Sequence, residues 1–557
     1  MKNRLFIFLL IFLIFFISVR GEDQVFFNFK EEINLNLNNY DTGYPEFLRS
    51  FNFKEGENYD EPGIRLHYKE GSKKLGRAVI FNLSLWFLDS IRYWATYANW
   101  IEDWQFNLTW EDQKKRIFKF EGNRFDSNPF STNWSHALSG AIYFNFARYH
   151  RLTILESVIF ETLSSFLWEY ITEWREVISI NDNFFSGLGG LPIGEPFYQI
   201  GGYLLSKRGF INQLVGSVLN PVIALSNLFG GKKWRRSFDK DYYIKPDFNI
   251  LLGQRDVRFN DEKFHSSRQL HFGVESWFNR ISGFGEPGQK ETSINLVDTI
   301  NGGISFGISF GLNGIEELTL NTKVVYLGHF KQNIRASETE GLYGYSFLAG
   351  MGSAFGLFKK KSIAYYDTSE YHYDFAGNET PEQPTQFTDK LAIINLAGPV
   401  FDLTLYSGKI KFGLSFESYL DFALVNSLAL NKFSETNDLF EKRMKTTLAH
   451  YGYYYAFGYT IAGSSSLDLY NFTIKGNFKY QKYDSIEGLD RFQDRIEDDS
   501  NVKDSRAIYK LSMGYKFERS PVQLIFTYEN SKREGNLKNC FDKEIESRIY
   551  SQVKISF

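Results

Sequence analysis

From about residue 247 to the end of the chain, apolar and polar residues alternate with period two, the pattern of strands with one face to an apolar medium and one to water. Tyr470, Phe472, Ile474, Gly476, Phe478 and Tyr480 share one face, and Asn471, Thr473, Lys475, Asn477, Lys479 and Gln481 the other. The same division sets Tyr509, Leu511, Met513, Tyr515 and Phe517 against Lys510, Ser512, Gly514, Lys516 and Glu518. It also sets Ile410, Phe412, Leu414 and Phe416 against Lys411, Gly413, Ser415 and Glu417. Each run has about the 9 to 11 residues that a tilted transmembrane strand needs.

Only helices and closed barrels satisfy their backbone groups in hydrocarbon. The best helical stretches, 78–101 and 152–171, are broken by Asp89 and Arg92 and by Glu156, Glu161 and Glu169. Further strands are expected at 248–255, 268–278, 303–312, 317–328, 342–352, 391–396, 400–406, 450–459, 522–530 and 549–557. With the three above, these make thirteen candidate runs, read as about twelve strands because even numbers are the rule in single-chain bacterial barrels. Short connections at 407–409 and 519–521 contrast with long polar ones at 367–389, 431–446 and 483–504, as periplasmic turns contrast with external loops. The expected fold class is α+β: an antiparallel transmembrane β-barrel over residues 245–557, preceded by a helical domain.

Composition agrees. The chain has 56 Phe, 34 Tyr and 10 Trp beside a negative mean hydropathy of -0.32, the combination given by aromatic girdles around a polar lumen. A soluble antiparallel sandwich would alternate too, but would have to explain so many aromatics opposite a polar face. Lys2 and Arg4 precede an apolar run over residues 5–19 and then Gly21, so residues 1–21 read as a signal peptide. Cys540 is the single cysteine, which rules out an internal disulfide framework. With 63 basic against 66 acidic residues and a net charge of -3, no nucleic-acid partner is expected.

Residues 131–230 are different, because apolar residues recur there at helical spacing. Helices are expected at 135–149, 152–176, 196–205 and 210–229, with an earlier one at 77–100 in the 22–130 segment. Gly189, Gly190, Pro192 and Gly194 mark a loop. His136, Ser139 and Tyr143 form a polar stripe on one helical face. Glu169, Glu173 and Glu176 form a second, followed by Ser179, Asn181, Asp182 and Asn183. Such groups need partners if buried.

The order His136, Ser139-Gly140, Tyr143, Arg148, Trp168-Glu169, Ser179, Asn181-Asp182, Gly190 and Gly194-Glu195 resembles a bacterial family catalogued as domain of unknown function 3943. The likeness runs over about residues 125–203. It implies an association with the outer membrane and brings no known reaction. The last strand, with Ile549, Ser551, Val553 and Ile555 ending at Phe557, resembles the signal by which the bacterial barrel-assembly machinery recognises its clients.

Three readings of the polar cluster stand side by side. His136, Arg148, Glu169 and Asp182 can form a buried network that fixes how the helices pack against each other and the barrel. His136 oriented by Glu169 or Asp182 can serve as an acid–base pair acting on lipid. Metal binding lacks a His-x-x-x-His or paired-Cys spacing, so no metal or other cofactor is expected. Lys232, Lys233, Arg235 and Arg236 either meet anionic lipid head groups or complement a helix C-terminus. The functions in play are passage or envelope organisation by a barrel with a helical plug or periplasmic domain, a lipid-active enzyme, and a scaffold for a periplasmic partner.

Overall fold

A computed structural model describes residues 73–557, apart from 97–105, 231–244, 260–266, most of 362–387 and several shorter stretches. The expected signal peptide and the basic run Lys232, Lys233, Arg235 and Arg236 lie outside the described residues.

Twelve strands form one closed, antiparallel, up-and-down barrel in which each strand pairs with its neighbours in sequence. They are β1 (Lys245–Phe259), β2 (Ser267–Asn279), β3 (Asn301–Gly311), β4 (Gly314–Ser337), β5 (Gly341–Lys361), β6 (Thr388–Gly408), β7 (Ile410–Asn426), β8 (Tyr453–Leu469), β9 (Phe472–Ser485), β10 (Val502–Lys516), β11 (Val522–Leu537) and β12 (Cys540–Ser556). The ring closes where β12 pairs with β1, Val553 opposite Leu252. A further strand, Gly288–Asn295, pairs with β4 below the end of β3.

Two strand expectations change. The segments 391–396 and 400–406 are one strand, β6, whose register slips between Asn395 and Gly398. A bulge of this kind bends a strand without ending it, and Pro399 falls beside it. The strand expected from residue 450 begins at Tyr453, because His450 belongs to the short helix Thr446–Tyr451.

Ion pairs between strands that are not neighbours identify the lumen. Glu317 of β4 meets Arg255 of β1 at 2.7 Å and Arg548 of β12 at 2.9 Å. Lys360 of β5 reaches Glu546 of β12, and Asp389 of β6 pairs with Arg506 of β10 and, at 2.9 Å, with Arg533 of β11. Residues alternating with these, such as Phe412, Phe416, Leu511, Met513 and Phe526, are exposed on the outer face, as a lipid-facing band requires.

Both ends of the lumen hold packed chain. At the end with the long connections, Ala429, Leu430, Phe433, Met444 and Leu448 pack on the lumen residues Leu391, Ile393, Ala423, Val425 and Tyr454. At the other, Ile281 and Ile300 of the 280–300 connection pack with Val325, Phe330 and Leu348. A cavity of about 650 Å³ lies along the polar lumen wall.

Ahead of the barrel come α1 (Leu75–Thr96), α2 (Trp110–Phe118), α3 (Phe130–Tyr149), α4 (Ile154–Leu167), a π-helical turn (Trp168–Thr172), α5 (Ile180–Leu188), α6 (Gly190–Ser206), α7 (Phe210–Leu219) and α8 (Pro221–Gly230). Local chemistry sets the boundaries. Thr153 and Glu156 form a reciprocal capping box at the start of α4. Asn220 accepts a hydrogen bond from Ile223 N, and Pro221 takes the first helical position of α8. The expected 210–229 helix is therefore two helices, and 152–176 is interrupted by the π-helical turn. Of the stretch 189–194, expected as a loop, residues 190–194 are the first part of α6 and Gly189 is its junction with α5. Its glycines serve close packing rather than a turn.

The helices rest on the barrel through Phe125, Phe130, Ala137, Ala141, Phe185 and Ile193, which pack on Phe355, Leu357, Ala392, Ile394, Phe422, Leu424, Tyr453 and Tyr455. These strand residues alternate with the lumen residues Lys360, Ile393, Ala423 and Tyr454, so they point outward. The helical contacts are thus with the outer wall of the barrel.

Candidate functional site

Helix α3 carries polar residues at both ends, and the structure sorts the expected cluster into two networks. His136 and Arg148 lie on one helix but about 18 Å apart at 1.5 Å per residue.

The first network surrounds the start of α5. Ser179 caps this helix by accepting from Asp182 N, and its own backbone N–H donates to Glu169 Oε2 at 2.9 Å. Asn181 donates to Asp182 Oδ1 at 2.8 Å and to Asn133 Oδ1 at 3.0 Å, while its own oxygen accepts from Asp126 N. Asn133 in turn donates to the hydroxyls of Tyr453 and Tyr455 on the barrel, the latter at 2.8 Å. His136 Nε2 stands 3.3 Å from Asp182 Oδ2, with a quarter of its side chain accessible.

Carboxyls crowd this region. Burial, aided by the neighbouring acids, holds Glu169, Glu173 and Asp182 well above the usual carboxylate range, and burial raises Asp126 and Glu176. Arg491, from the connection after β9, faces Asp126 at 3.8 Å and Glu176 at 3.5 Å. Arg116 of α2 donates instead to four backbone carbonyls, those of Glu169, Tyr170, Glu173 and Glu176, which closes the π-helical turn. Tyr93 donates to Glu176, and Trp168 Nε1 to Glu173 at 2.9 Å.

Burial lowers His136 to about 4, so its ring is neutral at neutral pH. A general base is a neutral imidazole oriented by an ionised carboxylate; Asp182, which burial holds toward its protonated form, does not supply that carboxylate. Among the described residues, no group of three or more His, Cys, Asp or Glu side chains is placed to hold a metal ion.

The second network lies at the far end of α3. Arg148 grips Glu195 of α6 with two bonds, Nε to Oε2 at 2.7 Å and Nη2 to Oε1 at 3.1 Å. It also donates to Leu152 O at 2.9 Å and to Asp298 of the barrel's 280–300 connection at 2.7 Å. Arg280 of the same connection pairs with Asp298, and Gln199 donates to Glu195 at 2.7 Å. Ser139 and Tyr143 lie between the two networks, both partly buried.

Two glycines let the helices approach. A Cβ on Gly140 would come within 2.1 Å of Ser186 O, and one on Gly190 within 2.0 Å of Glu161 Oε2 and 2.6 Å of the Gly140 carbonyl carbon. Small residues at crossings are how helices pack closely without a large apolar seam.

Residues 122–222 match the family model described as Domain of unknown function (DUF3943). The match includes His136, Ser139, Tyr143, Arg148, Glu169, Glu173, Asn181, Asp182 and Glu195. The residues that complete the two networks from outside it, Arg116, Asp298, Tyr453, Tyr455 and Arg491, were missed in the sequence because their partners lie in distant segments. No curated protein matches the chain. Among solved structures, the KdgM porin is similar over 55% of this chain and 99% of its own, at 10% identity and a TM-score of 0.19. OmpT, an outer membrane protein of Vibrio cholerae, is similar over 56% of this chain and 98% of its own, at 8% identity and a TM-score of 0.20. The translocator domain of the autotransporter NalP from Neisseria meningitidis is similar over 61% and 98%, at 8% identity and a TM-score of 0.19.

Proposed function

We propose that this protein is a closed outer-membrane barrel serving envelope organisation, with the helical domain as its working part and the barrel as the anchor. One observation carries the reading: the helices pack on outward-pointing strand residues such as Phe355, Phe422 and Tyr455 while the lumen holds its own chain segments and cross-barrel ion pairs. A barrel built for passage keeps a water-filled lumen. Here the ion pairs Glu317–Arg548 and Asp389–Arg533 cross it, and apolar side chains from two connections pack into its two ends. Residues 1–21 direct export of the chain in a Gram-negative cell, and the strand ending at Phe557 is its address for the barrel-assembly machinery.

Planar-bilayer recording tests this reading. Purified protein inserted into a lipid bilayer is expected to give no resolved current steps at moderate voltage. Stepwise conductance of the intact chain would overturn it in favour of passage.

A further inference from the structure

Two helices of the domain turn a broad apolar face away from the barrel. On α1, Ile80, Phe87 and Ile91 are 65%, 60% and 53% exposed; on α4 and the turn after it, Ile159, Leu163 and Ile171 are 50%, 57% and 50% exposed. The two helices run side by side, joined by Asn82 to Ser164 at 2.8 Å and Ser90 to Thr172 at 2.9 Å. Apolar patches of this extent are not left in water.

We infer that acyl chains of the outer membrane cover this face, so that the helical domain lies within the bilayer beside the barrel. This rests on the outer-wall position argued above and not on the closed lumen. Three observations favour lipid over a protein partner.

The first is height. At 1.5 Å per residue, the exposed stretches 75–91 and 155–171 each rise about 24 Å, the height of the roughly 25 Å apolar band of an outer-membrane barrel. The second is what stands at the ends. Lys73 pairs with Glu156 at 2.6 Å at one end, and at the other Trp94 stacks on Trp174 at 5.5 Å while Tyr93 meets Trp168 edge-on at 6.1 Å. Charges and amphipathic rings bounding an apolar face are the marks of the membrane–water interface.

The third is continuity. Phe184 stacks on Phe422 at 4.4 Å and meets Phe457 at 5.9 Å, and Phe457 is itself 48% exposed on the barrel's outer face. The helical domain therefore meets the barrel's apolar band directly at α5, with aromatic side chains on both sides of the join. No described helix is by itself long and apolar enough to cross a membrane. An all-round apolar helix is not needed here, because the inner sides of α1 and α4 lie against protein and only the outer sides must be apolar.

Spin labels at Ile80→Cys, Phe87→Cys and Leu163→Cys, each in a Cys540→Ser background and reconstituted in phosphatidylcholine vesicles, test the inference. Collision rates with oxygen and with a water-soluble nickel chelate are compared with those at Phe526→Cys on the barrel band and Glu497→Cys on an exposed connection. The oxygen-to-nickel ratio at all three helix positions is expected to equal that of Phe526 and to lie several-fold above that of Glu497. A ratio like that of Glu497 would place the face in water, and shielding from both reagents would place a protein there, a second copy included; either result overturns the inference. The closed lumen fails separately, by conductance.

Discussion

Arg148 Nη2 lies 2.7 Å from Asp298 Oδ1, an ion pair between buried side chains that ties the helical domain to the barrel. Arg148 holds Glu195 as well, so its removal leaves the buried Glu195 carboxyl without a cation, while Asp298 keeps Arg280. Breaking a buried pair from one side costs about 3 to 5 kcal/mol. The Arg148→Met protein is expected to lose helical circular dichroism at a lower temperature, while its barrel keeps the heat-dependent gel mobility of the parent. An unchanged helical transition would show that the pair does not hold the domain.

Gly140 sits at a close helix crossing. In Gly140→Ala the new methyl would meet Ser186 O at 2.1 Å, a backbone atom that cannot rotate away. Overpacking of this kind costs about 1 to 3 kcal/mol, read as a lowered midpoint in thermal or denaturant unfolding. Gly76→Ala is the control, since nothing lies within 4 Å of its added Cβ, and it should be neutral or slightly stabilising.

The acid-rich network gives a pH dependence with a defined sign. Glu169, Glu173 and Asp182 are raised on folding, so the folded state holds more protons and stability falls as pH rises through their folded values. His136, lowered to about 4, acts oppositely: it favours the fold above the ordinary histidine value near 6.5 and withdraws that support as pH falls. Above about pH 7 only the carboxyls change. The helical domain should therefore melt at progressively lower temperature as pH is raised above the ordinary histidine range, and Glu173→Gln should flatten the slope. A midpoint that rises with pH there would contradict the account.

Leu448 is fully buried in the packing that fills one end of the lumen. Leu448→Asp places a carboxylate there without a partner, which favours release of the segment around it. Current steps absent from the parent are expected in bilayer recordings of this variant. If the variant inserts and remains silent, that packing does not seal the barrel.

The strands were legible because one face of each must suit lipid and the other water. Alternation through Ile474, Phe478 and Leu511 therefore gave both the barrel and its two faces. The bulge at Asn395–Gly398 was not, since a slip of one residue there looks like a turn when followed by Pro399. In the helical part, Ser179 to Asn183 fell between the expected helices, although Ser179 is the cap that starts α5. Gly190 and Gly194 looked like turn residues, although they sit within α6 where other elements come close.

Within the candidate site, the residue types were readable and their grouping was not. Helical spacing placed His136 and Arg148 on one helix, but only the packing shows that the first goes with Asp182 and the second with Glu195 and Asp298. The position of the domain was hidden for a simple reason. Phe355, Phe422 and Tyr455 carry the same apolar character that lipid would require, so nothing in those strands distinguishes a wall covered by helices from one covered by acyl chains.

Photo-crosslinking from adjacent positions on β7 tests the central claim most directly. Phe422 points to the helical domain, and Ala423 into the lumen beside Leu430 and Leu448. With a benzophenone side chain at position 422, adducts are predicted in the peptide containing Phe184 and Phe185; at position 423, in the peptide of residues 429–448. Adducts to the helical domain from position 423, with only lipid labelled from position 422, would place the helices inside the barrel and contradict the account.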